Sequence, residues 1–188
     1  MLNKKDVDKI DFYIGTGGGS GEAALDIATF LREHFKEVNF VVSGEAKSAG
    51  TLLVLSGDDI FMTETGSLGP IDAQVLIGRS VVSAADYVDW YEKKREEAKN
   101  EGLNPIDIIM MAQISGGELY KVYNDLNFAR DFVIKWLPKY KLKDWKHPNN
   151  PEISVNSQDK EKEAGKIVDK LLDREKWRTH GRSLKLPI

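Results

Sequence analysis

Residues 10–15, Ile-Asp-Phe-Tyr-Ile-Gly, alternate apolar and polar side chains closely enough to read as a β-strand. The next stretch, TGGGSG (16–21), is a turn that admits unusual backbone angles. In EAALDIATFLREHF (22–35), Ala24, Ile27, Ala28 and Leu31 recur at helical spacing, with acids early and bases late as the helix dipole prefers. VNFVVSG (38–44) reads as a second strand. A strand, glycine turn, helix and strand within about 30 residues predict a βαβ unit with a parallel sheet. TLLVLSG (51–57) reads as a short buried helix and DDIFMTE (58–64) as a short strand. TGSLGPIDAQ (65–74) reads as a loop stiffened by Pro70.

Beyond residue 80 the pattern turns helical and charged. A helix over 83–102 is capped by Ser83 and ended by Gly102. A second opens on Pro105, and a third covers 115–137. A polar, proline-bearing connection (139–158) leads to a last helix over 159–177 and the tail RTHGRSLKLPI. The expected organisation is an α/β core over 1–80 and a helical extension over 81–188, read as one domain.

Composition narrows the classes. The 188 residues are 41% hydrophobic and 9% aromatic, enough for a packed core. The 27 basic and 30 acidic side chains leave a net charge of −3, so there is no global footprint for nucleic acid or an anionic membrane. The chain has no cysteine, which excludes disulfides, thiolate nucleophiles and cysteine metal sites. The first residues lack the apolar stretch of a signal peptide, and no apolar run approaches the ~20 residues that span a bilayer. A cytoplasmic location is therefore expected, with no metal and no cofactor.

The candidate chemistry lies at two polar joints: TGGGSG after the first strand and EAKSAG (45–50) after the second. In a parallel sheet the carboxyl ends of both strands lie on one edge, so these joints should face each other. Helix starts leave backbone N–H groups without intrahelical partners, and such donors can cradle a negative oxygen. Ser48 sits where they would converge. On this reading Ser48 is a nucleophilic hydroxyl, Ala49 and Gly50 are small to admit a substrate backbone, and Gly18 or Gly19 supplies the facing N–H of an oxyanion hole. The plain alternatives are that Ser48 is a helix N-cap and the glycines only a turn. A nucleotide fold is disfavoured. Gly19-Ser20-Gly21-Glu22-Ala23-Ala24 fits G-x-G-x-x-A, but the acid expected at the end of the next strand is missing, and no G-x-x-x-x-G-K-[ST] motif occurs.

TGGGSGEAALDIATFLR followed by EAKSAGTLLVLSGDDIFMTETGSLGPIDAQV closely resembles the serine dehydrogenase proteinase family. These proteins are relatives of Clp protease and signal peptide peptidase A in the ClpP/crotonase superfamily. The resemblance covers residues 10–77 and continues more loosely to the terminal THGRSL. It implies a spiral of βαβ units, mostly parallel, assembled into trimers or hexamers, and peptide-bond hydrolysis through an acyl-enzyme. It aligns Ser48 with the nucleophile, and Gly18 and Ala49 with the residues lending oxyanion-hole N–H groups. It also implies a further strand and helix ahead of the 10–15 strand; these are not among the residues before it, so either a shortened form or a layer supplied by a partner is expected.

The sequence departs from the family over the base. Where Clp protease carries a histidine, the chain has GPIDAQ, with Ile71 or Asp72 at that position. Where signal peptide peptidases carry a lysine, it has SAADY. Lys93 and Lys94 lie further on, in a run that reads as a solvated face. Lys47 adjoins Ser48 but should point to the opposite side, as a salt-bridge or assembly residue. His34 and His147 read as surface residues, and His180 is a candidate only if the tail folds back or reaches another subunit. Asp72 either caps a neighbouring helix or serves at the pocket by orienting a base or acting as an acid; alone it is a poor base for serine. Three functions stay open: a peptidase acting on peptide or protein substrates, a non-catalytic scaffold or peptide-binding subunit, and a crotonase-type acyl-CoA enzyme.

Overall fold

The computed structural model describes residues 8–146, 155–177 and 182–185. Two compact units emerge, one from Met1–Ile71 with Arg130–Ile188, the other from Asp72–Ala129. This division differs from a boundary near residue 80, because the last helices belong with the first strands.

In the first unit, β1 (Lys9–Thr16), α1 (Gly21–His34) and β2 (Glu37–Ala46) form the βαβ unit. β1 pairs with β2 in parallel, from Lys9↔Glu37 to Ile14↔Val42. β3 (Asp59–Met62) runs parallel to β2 from Asn39↔Asp59 to Val42↔Met62. A two-residue strand, β4 (Ser67–Leu68), takes over at the end of β2, with Glu45↔Ser67 and Ala46↔Leu68. It lies inside the stretch expected to be loop, and its pairing depends on long-range contact rather than local pattern.

β2 is the central strand, which is why its apolar residues run almost unbroken. Val38, Phe40, Val42 and Ala46 are all essentially inaccessible. Asn39 is buried with them and fully engaged. It donates to Asp11 Oδ1 (2.9 Å) and Glu37 Oε1 (3.1 Å), and its Oδ1 accepts from Asp59 N (3.2 Å). α1 buries Ala24, Ala28 and Leu31. Ile27, which shares their spacing, is 40% exposed and lies off that face.

A second polar group is sealed behind the sheet. Asp58 Oδ2 accepts from Arg32 Nη1 (2.5 Å) and Val38 N (2.9 Å), and Oδ1 from Lys143 Nζ (2.7 Å). The Arg32 guanidinium lies 3.5 Å from the centre of the Tyr140 ring. Burial alone would raise the Asp58 carboxyl, but Lys143, the Val38 amide and Arg32 together hold it below the ordinary carboxylate range.

The first unit is completed by α6 (Ser157–Leu171), with an Asn156/Asp159 capping box, and by α7 (Arg174–Trp177). The tail returns to the sheet, where Leu184 forms an antiparallel bridge with Leu68.

The second unit opens with an antiparallel hairpin, β5 (Gln74–Ile77) and β6 (Ser80–Ser83), followed by α3 (Ala84–Asn100) and α4 (Pro105–Met111). α5 (Gly116–Trp136) gives its residues up to Ala129 to this unit and the remainder to the first. Val75, Ala84 and Val122 form the second unit's core, with Val82, Tyr87 and Leu126 packed against them. α4 is inverted relative to an ordinary surface helix. Its Asp107 is buried and bridges Lys94 Nζ (2.9 Å), while Ile106, Ile108 and Ile109 face outward.

Candidate active site around Ser48

Ser48 joins β2 to α2 (Ala49–Leu55), and its backbone is left-handed, with φ 51° and ψ −117°. Among the described residues no other non-glycine residue has positive φ. Such a conformation costs about 1–3 kcal/mol and persists only where the surroundings over-determine it. Here they do. Lys47 N donates to Thr16 O (3.0 Å), Gly50 N to Lys47 O (2.8 Å) and Leu52 N to Ser48 O (3.1 Å). Thr51 Oγ1 donates to Ala46 O (2.6 Å) and accepts from Gly69 N (3.0 Å). All seven residues of α2 are buried, so the helix cannot shift to relax its first turn.

The flanking small residues have a steric cause. A Cβ at Gly50 would stand 2.4 Å from Thr16 Cγ2. Ala46 is wholly buried one strand-end away. A larger residue at Gly50 would press on the Thr16 side chain.

The N-cap alternative is answered by geometry. Ser48 occupies the N-cap position of α2, yet its side chain makes no capping hydrogen bond. Its hydroxyl, half-buried, has no hydrogen bond to the described residues of its own unit.

The first joint packs against the second. Gly18 has φ 120°, and a Cβ there would lie 3.0 Å from Ser48 Cβ, 3.3 Å from Lys47 O and 3.6 Å from Ser48 Oγ. Gly18 N donates to Thr16 Oγ1 (3.1 Å), and that hydroxyl donates to Gly18 O (3.1 Å). The Gly18 amide is thus turned towards Thr16. Gly19, φ 148°, follows with open space where a Cβ would be. Ser20 caps α1, accepting from Ala23 N (3.2 Å). Ala49 begins α2 and is buried beside Ser48.

Lys47 behaves differently from a surface ion-pair residue. It is 5% exposed, and its Nζ donates to Leu68 O and Arg182 O (both 3.3 Å) and pairs with Ser183 Oγ. Burial holds its ammonium below the usual lysine range. No carboxylate contacts it among the described residues, so the salt-bridge expectation does not describe it.

The profile describing ClpP-like SDH-type serine proteinases matches residues 2–144. The chain belongs to this family. Two uncharacterized proteins of Methanocaldococcus jannaschii align with this serine proteinase relative. One is 33% identical over 99 residues, 53% of the chain and 32% of its own length. The other is 36% identical over 105 residues, 55% of the chain and 35% of its own length. The matched stretches span only about a third of those relatives. Among solved structures, a serine-to-alanine mutant of the 1510-N membrane-bound stomatin-specific protease superposes at TM-score 0.38 with 21% identity, covering 52% of this chain and 50% of that one. A lysine-to-alanine mutant of the same protease, in complex with a substrate peptide, gives 0.37 and 18%, covering 61% and 64%.

The remaining candidates of this family member sit as follows. Asp72 opens the second unit and accepts from Gln74 Nε2 (3.0 Å). His34 is exposed and stacks on Phe30. Lys94 is no solvated lysine, because it bridges Glu97 (2.7 Å) and Asp107 (2.9 Å). His147 and His180 lie outside the described residues. No described helix is long and apolar enough to cross a membrane. Sequence reasoning missed Thr16, which turns the Gly18 amide, and the anchoring of Lys47 to the tail. A lysine locked between small residues at a strand end was the available signal for the second.

Proposed function

We propose that the chain is a serine peptidase that hydrolyses peptide bonds through an acyl-enzyme on Ser48. The single observation that supports this most is the Ser48 backbone: a strained, uncapped serine at the tip of the central strand, with Gly18 packed against it. In this reading Ser48 Oγ attacks the scissile carbonyl carbon, and the carbonyl oxygen takes up the negative charge. Ala49 N–H and Gly19 N–H donate to it, while Gly18, its own amide given to Thr16, shapes the wall of the hole. The serine proton passes to a base and on to the leaving amine, and water then releases the acyl group. The base comes from outside the described residues of the first unit, and Asp72 is the carboxylate proposed to orient it. The substrate is a peptide or protein segment, and the active form is a homo-oligomer, a trimer or hexamer. Fluorophosphonate labelling tests the reading. The intact protein should be modified at Ser48, with release of peptide fragments from an unfolded protein substrate, and Ser48→Ala should do neither. Equal labelling of both proteins would refute it.

A further inference from the structure

Resting on that reading, we infer that Lys47 and Ser183 are positioning residues: the returning tail clasps Lys47 and thereby holds Ser48 in its reactive conformation. The strained Ser48 peptide must be fixed at both ends. On the α2 side the buried helix fixes it. On the β2 side the fixed residue is Lys47, whose amide is tied to Thr16 O and whose side chain is tied at its far end to the tail. Gly69 closes the channel along its length, since a Cβ there would stand 2.7 Å from Lys47 Cδ. Two of the three acceptors at Nζ, Arg182 O and Ser183 Oγ, come from the tail, and the third is Leu68 O, on the strand that the tail pairs with. The tail itself is registered by Leu68 N→Leu184 O (3.0 Å) and Leu184 N→Leu68 O (2.8 Å). Arg182 Nη1 fastens it to Lys176 O (2.6 Å). A buried ammonium that forms no ion pair among the described residues is costly unless its donors are met. The tail meets them, so losing the tail frees the residue that shares a peptide bond with the nucleophile.

The test compares the rate of Ser48 labelling at saturating fluorophosphonate with the probe concentration giving half-saturation, in the full chain. Ser183→Ala should slow labelling about tenfold at unchanged half-saturation, since small misplacement of a nucleophile costs that much or more. Ser183→Thr, which keeps the hydroxyl, should restore the rate. Lys47→Met should act like Ser183→Ala and should also release protection of the Leu68 and Leu184 amides from hydrogen exchange. If Ser183→Ala labels at the wild-type rate, the clasp is overturned while Ser48 stands as nucleophile. If the wild type itself labels no faster than Ser48→Ala, the peptidase reading falls and this inference with it.

Discussion

Gly18 lies against Ser48 so closely that one added methyl group at Gly18 would reach 3.0 Å from Ser48 Cβ. Its φ of 120° is also a conformation that alanine rarely adopts. Gly18→Ala should therefore disturb the site in two ways, through backbone strain of ~1–3 kcal/mol and through displacement of the serine. The expected result is loss of fluorophosphonate labelling by at least about a hundredfold with a smaller loss in urea stability.

Gly50→Ala probes the other wall. The new Cβ would meet Thr16 Cγ2 at 2.4 Å, and Thr16 is the residue that holds the Gly18 amide. Overpacking at such a contact costs about 1–3 kcal/mol. The double variant with Thr16→Ser, which removes that methyl, should recover most of the loss in a denaturation titration. No recovery would show that α2 is held by something other than this contact.

Asp58 makes stability sensitive to acid. Its folded carboxyl titrates below its ordinary value, so its contribution is complete above the unfolded pKa, near 3.8, and is lost as pH falls through the depressed folded value. Asp58→Ala should lose ~3 kcal/mol at neutral pH, because it removes the carboxylate that pairs with the buried Arg32 guanidinium, leaving it Ser56 O (2.5 Å) and the Tyr140 ring, with no partner for Nε among the described residues. The gap between wild type and variant should stay level down to about pH 4 and narrow below it. A gap that is independent of pH to full acid unfolding would contradict the assignment.

Tyr87 provides a marker of the second unit at the opposite end of the pH scale. Burial, then its bond to Glu118 Oε1 (3.1 Å), pushes its hydroxyl up to about 12. A raised folded value means the stabilisation is present below the ordinary tyrosine pKa of 10 and is lost as pH climbs from there to about 12. Tyr87→Phe should cost ~1 kcal/mol at neutral pH and should flatten that alkaline loss. Absorbance titration of the phenolate in wild type and variant checks both.

The α/β half was legible because its signals are local. The central strand announces itself by an apolar run of the kind a doubly buried strand needs, and in the helical half Ser83 caps its helix as expected, by short-range geometry. The two polar joints were also legible, since a parallel βαβ unit brings them to one edge. What sequence could not reveal depends on distant partners. β4 exists because Glu45 and Ala46 lend it a ladder, and Leu184 is paired because Leu68 waits for it. The β5–β6 hairpin, from Gln74 to Ser83, lies where no periodicity marked two strands. Ile27 shares the spacing of a core stripe yet stays outside, because α1 meets the sheet along Ala24, Ala28 and Leu31.

Lys47 and Ser183 stand 136 positions apart. A ribosome adding about 5–20 residues per second therefore needs roughly 7–27 s to make the second after the first. Throughout that interval the nascent chain already carries its serine but not the fastening that keeps it cocked. On the clasp inference, the serine is synthesised well before the residues that hold it, and its full reactivity waits on the stretch around Ser183.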